Sequence, residues 1–290
     1  MSATALALIL VAAVAHATWN LFSKQASVTG ASSFVWLMAL AATVLYAPVV
    51  LIALLAGPPR LTGLSWVFMI GTGLLQAGYF LFLQSGYRLG DLSVVYPVGR
   101  GSGALLAALA GIGLLGEHPG AAGIAGIGLV IAGVLLLGAP AGNGGPAARP
   151  APRALTFALV TGVFIASYTL WDKYAVSTLK VPPLLQGYAS LPMMALVLAP
   201  FALRQRPRTA LVWRTYRRQV AGAAVLAPLA YILVLAARSF TAVSAVAPAR
   251  EVSVLAGVLL GRRLLGEGQL ARRLAAAAAI SAGIICIAVG

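Results

Sequence analysis

The charged residues that interrupt long apolar runs are where chemistry is expected in this chain: Arg100, Asp172, Lys173, Arg250 and Glu251. Inserting such a group into a bilayer costs roughly 2.5 to 3.5 kcal/mol, so it faces a cavity or a partner. Arg100 follows Tyr96 and Pro97 and has Gly99, Gly101 and Gly103 around it. Proline removes one backbone hydrogen bond and glycines loosen the turn. The segment is therefore expected to bend or break, with Pro97, Gly99 and Gly101 as a hinge that turns carbonyls toward a water-filled site. There the two-pronged guanidinium of Arg100 suits a carboxylate. The competing reading is an arginine that snorkels or pairs with an acid. In a matching stretch Pro248, Arg250 and Glu251 sit together. Glu251 either neutralises Arg250 or Arg100, or takes up a coupling proton. Asp172 and Lys173 are adjacent and point to different sides of a helix, which suits a membrane interface and a cavity equally.

A second group of candidates is polar and aromatic. His16, Trp19, Asn20 and Ser23 recur at helical spacing and form one stripe on an otherwise apolar helix. Gln76 with Tyr79, and Tyr168 with Trp171, repeat the three-residue spacing. Such faces suit a cavity wall that holds apolar or cationic groups. Interhelical hydrogen bonding is the plainer alternative, worth only about 0.6 to 2 kcal/mol per contact. Trp36, Trp66 and Trp213 read as interfacial belt residues.

The elements that position these residues must live in lipid. Hydrophobic residues make up 61% of the 290 and charged residues 9%, against roughly 25% charged in a soluble domain. A helix crossing about 30 Å of hydrocarbon needs about 20 residues. Ten segments fit: 3–23, 31–56, 62–86, 92–115, 120–139, 153–176, 183–203, 218–238, 241–261 and 270–289. The first apolar run continues through Trp19, Leu21 and Phe22, so a spanning helix is expected there and not a cleavable leader. The fold expected is an all-α membrane protein of ten transmembrane helices.

The net charge of +15 resembles a nucleic-acid footprint in size only, because most basic residues lie in short gaps between apolar runs. No nucleic-acid partner is expected. Lys24, Arg88, Arg149, Arg153, Arg204, Arg206, Arg208, Arg214, Arg217, Arg218, Arg262, Arg263, Arg272 and Arg273 fall in odd-numbered gaps, against Arg60, Lys180 and Arg238 in the even-numbered ones. That asymmetry places the odd gaps in the cytoplasm and both termini outside. The single cysteine, Cys286, allows neither a disulfide framework nor a cysteine-based zinc site. No His-Glu-x-x-His, phosphate-binding loop or Cys-x-x-Cys occurs, and with five acids and two histidines an enzyme, a metal and a cofactor are not expected.

The chain also repeats itself. Leu114-Leu115-Gly116-Glu117 recurs as Leu264-Leu265-Gly266-Glu267, Ser93 to Pro97 parallels Ser244 to Pro248, and Lys24 parallels Lys173. These offsets agree to within a residue or so. Residues 1–139 and 153–290 then form two five-helix repeats, joined by a Gly-, Pro- and Ala-rich linker at 140–152. An odd helix count inverts the second copy relative to the first, a plan common in transporters, with the site between the copies. Gly123, Gly126, Gly128 and Gly133, with the alanines at 275–279, permit close helix packing. A monomer is expected, with a dimer seam at these residues as the alternative.

Ten helices in two repeats, each ending in Leu-Gly-Glu, with Trp19-Asn20 and Lys24 in the first helix, resemble the EamA-like branch of the drug/metabolite transporter superfamily over nearly the whole chain. The resemblance implies an inner-membrane exporter of amino acids or similar small metabolites, with a central cavity enclosed by both halves. Relatives often carry basic tails on the cytoplasmic side, whereas here the tails are nearly uncharged and the internal gaps are basic. An exporter of cationic or lipophilic drugs, or a carrier of a choline-like amine, is the alternative.

Overall fold

The structure is a computed structural model. It describes residues 3–115, 118, 120–139, 151–238 and 243–289, and at 3–6, 9, 114–115, 234–238 and 243–252 the backbone alone. These residues form ten helices: α1 (Ala3–Ser27), α2 (Ala31–Ala56), α3 (Gly63–Leu89), α4 (Leu92–Leu115), α5 (Ala121–Gly138), α6 (Pro152–Ser177), α7 (Pro183–Arg204), α8 (Arg206–Arg238), α9 (Val243–Leu265) and α10 (Leu270–Val289). Seven of them, α2 to α7 and α10, are long and apolar enough to cross a membrane. The outer faces carry aliphatic side chains, such as Val44, Ile52 and Leu55 on α2, as a lipid-facing bundle requires.

Helix ends follow local chemistry. Thr62 caps α3 in a reciprocal capping box with Ser65. Pro152 and Pro183 stand in the first turns of α6 and α7, where a missing N–H costs nothing. α9 ends at Gly266, whose φ of +69° lies in the left-handed region that favours glycine.

One boundary departs from the sequence expectation. Residues 204–217 look like a basic gap, yet helix resumes at Arg206 and runs to a break at Tyr216 (φ −120°, ψ 23°) before the rest of α8. Charge does not prevent helix, since arginine is itself a good helix former and Pro207 stands in the first turn, where proline is tolerated. Its inner face is held: Val212 is buried against the α1–α2 turn at Gly30, Thr209 Oγ1 meets Ser33 Oγ at 2.8 Å, and Arg208 Nε donates to Thr29 O at 2.6 Å.

The packing repeats with the sequence. α1 lies on α8 and α9, and correspondingly α6 lies on α3 and α4; α2 packs on α7, and α5 on α10. Exchanging α1–α5 with α6–α10 reproduces these pairs. The α5–α10 seam is closest at Gly126 and Gly283, where a Cβ on either would lie 2.6 Å from the other's carbonyl oxygen.

At one end of the bundle, a polar clamp holds the α3–α4 turn. Lys24 Nζ donates to Tyr87 O and to Gly90 O, the latter at 2.7 Å, covering carbonyls at the end of α3. From the other half of the chain, Glu267 accepts from the backbone N–H groups of Leu92 and Ser93 at the start of α4. Arg273 completes the cluster, pairing with Asp91 at 2.5 Å and Glu267 at 3.4 Å.

Candidate functional site

The two halves enclose a cavity of about 620 Å3, walled by α1 to α4 from one half and α6 to α8 from the other. That volume suits a small solute. It reaches the α6–α7 turn, where Val176, Ser177 and Pro183 line it. Helices alternate in direction, so this is the end opposite the Glu267 cluster.

Six residues expected from sequence meet on its wall: His16, Trp19, Gln76, Tyr79, Arg100 and Tyr168. Helical spacing put His16 and Trp19 on one face of α1, and Gln76 and Tyr79 on one face of α3. Trp19 Nε1 donates to His16 Nδ1 at 3.2 Å, which leaves the proton of a neutral imidazole on Nε2. The rings form a chain across the cavity. Trp19 lies 5.4 Å from Phe80, Phe80 4.9 Å from Tyr79, and Tyr79 5.7 Å from Tyr168 in an edge-to-face contact. The aromatic wall therefore runs unbroken from α1 through α3 to α6 in the second half.

Other expected site residues stand behind the wall. Asn20 is fully buried, donating to His16 O at 2.8 Å and accepting from Tyr87 Oη at 2.6 Å. Tyr96 is buried too; its hydroxyl meets Ser253 Oγ at 2.9 Å and ties α4 to α9, with its ring 5.9 Å from His16. Trp171 donates to Phe68 O at 2.8 Å, stacks on Phe68, and covers Gly71, where a Cβ would meet the indole at 2.4 Å. Helical spacing alone did not distinguish this packing role from a cavity role.

The expected break at Pro97 is not seen, since α4 runs as one helix from Leu92 to Leu115. Gly101 makes room for Ile280 of α10, where a Cβ would lie 2.9 Å from the isoleucine, whereas a Cβ on Gly99 would meet α6 at Ala158 O at an ordinary 3.4 Å. In this conformation Gly101 is a close-packing position. The side chains of Pro248, Arg250 and Glu251, and Glu117 altogether, lie outside the described residues.

The cavity also collects residues that sequence reasoning left undecided or passed over: Asp172, Lys173, Tyr46, Tyr188 and Tyr231. Asp172 Oδ1 accepts from Thr72 Oγ1 on α3 and from Gln186 Nε2 on α7, the latter at 3.0 Å. The four-residue step from Tyr168 to Asp172 was the available signal, because it puts both on one face of α6. Thr72 and Gln186 carried no signal, being neutral residues far away in sequence. Among the described residues, no group of three or more His, Cys, Asp or Glu side chains is placed to hold a metal ion.

The profile of the EamA-like transporter family matches residues 3–139 and again 152–289. The chain belongs to the EamA-like transporter family. Its two-repeat architecture is therefore that of a membrane transporter of small solutes, and the cavity lies where the EamA-like repeats face each other. A solved structure titled "Crystal structure of protein" shares the fold at a TM-score of 0.61 and 22% identity, covering 98% of each chain. A search of curated proteins finds no match.

Proposed function

We propose that this EamA-like protein exports amino acids or closely related small metabolites across the inner membrane by alternating access of two inverted five-helix repeats. Five helices per repeat place the second copy upside down relative to the first. The observation that carries the reading is Arg100, a guanidinium on the wall of an otherwise mainly apolar and aromatic cavity shared by both halves. A planar cation in a low-dielectric pocket recognises a carboxylate through paired hydrogen bonds. The aromatic chain from Trp19 to Tyr168 accommodates the apolar remainder of the solute.

In this conformation the cavity reaches the α6–α7 end, and the Glu267–Arg273–Asp91 cluster occupies the other. Exchange of these roles between the repeats constitutes transport, with bending near Pro97 and Pro248 as the hinge. The protein acts as a monomer, with both termini on the outer side.

The test is efflux of labelled amino acids and a cationic dye from proteoliposomes. Amino-acid flux that disappears in Arg100→Ala while the protein stays folded supports the proposal. Undiminished flux after complete crosslinking of the two repeats counts against alternating access. The aromatic wall favours one second reading, export of cationic or lipophilic compounds, because ring faces attract cations. Movement of the dye alone, stopped by Glu251→Gln, selects that reading.

A further inference from the structure

Asp172 is the one acid among the described residues that lines the cavity. The other acids with described side chains, Asp91 and Glu267, are engaged with Arg273 at the far end of the bundle. Asp172 is held by neutral groups from two other helices. Thr72 of α3 and Gln186 of α7 both donate to Oδ1, and Gln186 Nε2 also donates to Thr72 Oγ1 at 2.6 Å. Three helices therefore fix the carboxylate through one of its oxygens. No donor among the described residues reaches Oδ2.

A carboxylate so placed has one oxygen committed to positioning and one available to the cavity. Two neutral hydrogen bonds orient the group without neutralising its charge, and a carboxylate in a low-dielectric wall favours a cation that brings its own donors. Tyr168, a turn earlier on the same face of α6, also lines the cavity and adds a ring for cation–π contact. Lys173, the next residue, is exposed and lines the cavity as well, but adjacent residues on a helix point to different sides.

We infer that Asp172, held by Thr72 and Gln186, is the cavity's subsite for a protonated amine. The inference rests on the cavity being the solute site proposed above. It gives that site two poles, Arg100 for a carboxylate and Asp172 for an ammonium, so that the preferred solute is zwitterionic.

Two probes that share a phenylethyl body and differ in their charged end separate the poles: 2-phenylethylamine and 3-phenylpropionate. Binding of each to the purified protein is measured by calorimetry. The expected result is that Asp172→Asn weakens the amine by about tenfold or more, the scale of one charge-assisted contact, while Asp172→Glu keeps most of its affinity. The propionate is not weakened by Asp172→Asn, which removes a like charge from its cavity, and is weakened by Arg100→Ala. The asparagine amide oxygen still accepts from Thr72 and Gln186, so the fold is expected to persist.

If Asp172→Asn fails to fold, the amine must instead protect wild-type Asp172 from a hydrophobic carbodiimide, read by mass spectrometry. Amine binding unchanged in Asp172→Asn, absent in wild type, or giving no such protection overturns the inference. Loss of amine binding in Asp172→Asn with propionate indifferent to Arg100→Ala leaves the amine subsite standing and removes the amino-acid reading.

Discussion

Glu267 caps the first turn of α4 at Ser93, a residue of the other repeat: Oε2 accepts from the Ser93 backbone N–H at 2.9 Å and from its hydroxyl. Oε1 takes the N–H of Leu92 at 2.7 Å. A carboxylate at a helix N-terminus satisfies donors that have no partner inside the helix and meets the positive end of its dipole. This contact gives the Leu-Gly-Glu motif a physical meaning. The glycine ends α9 in a left-handed turn, which swings the acid across onto the opposite repeat. Gly261 is bare because a Cβ there would lie 2.4 Å from the carboxylate.

Replacing Glu267 by alanine leaves two buried N–H groups and part of Arg273 uncompensated, a loss of roughly 3 to 5 kcal/mol. For a chain of this size that corresponds to a fall of roughly 6 to 15 °C in apparent unfolding temperature in detergent. Glu267→Gln keeps an acceptor and should lose less. A melting temperature unchanged in Glu267→Ala would show that the contact does not hold the repeats together.

Lys24 covers the last carbonyls of α3 at Tyr87 and Gly90. Lys24→Met retains the apolar stem and removes the donors, so the expected cost is about 1.5 to 3 kcal/mol, the range for hydrogen bonds from a charged group. Thermal unfolding of the purified variant reads it. Lys24→Arg should restore part of the loss, whereas equal melting of Lys24→Met and wild type would refute the role.

The α5–α10 seam predicts different outcomes for two glycines only two residues apart, which lie on different faces of α5. A Cβ on Gly126 would lie 2.6 Å from the Gly283 carbonyl oxygen, whereas on Gly128 it would meet nothing within 4 Å. Gly126→Ala should destabilise by about 1 to 3 kcal/mol through overpacking. Gly128→Ala should be neutral or slightly stabilising, since alanine is the better helix former. Similar unfolding curves for the two variants would contradict the packing described.

The concentration of Lys and Arg in the odd-numbered gaps predicts that both termini face outward. Alkaline phosphatase fused to the C-terminus should be active, and a green fluorescent protein fused there should stay dark. The reverse pattern would invert the assignment of every loop.

Much of the fold was legible in the sequence. An apolar segment in a bilayer has few options, so length and hydropathy located ten helices, of which seven are long and apolar enough to cross a membrane, and the Leu-Gly-Glu repeat pointed to two repeats. The main departure, the helical stretch before Tyr216, arose because clustered arginines mark polarity and not the absence of helix. Helical spacing also identified faces: His16 with Trp19, and Gln76 with Tyr79, share the cavity wall as their positions required.

Spacing does not say which neighbour a face meets, and that is what tertiary structure decided. Tyr168 and Trp171 are three residues apart on α6, yet one lines the cavity and the other packs over Gly71. Asp172 could be weighed from sequence only against Lys173 beside it. Its orientation depends on Thr72 and Gln186, which lie on two other helices and reach it only when α3, α6 and α7 pack together. Local chemistry determines whether a segment can be a spanning helix, because the bilayer tests each segment separately. The character of a site depends on which side chains converge from distant segments, and that is settled only when the helices assemble.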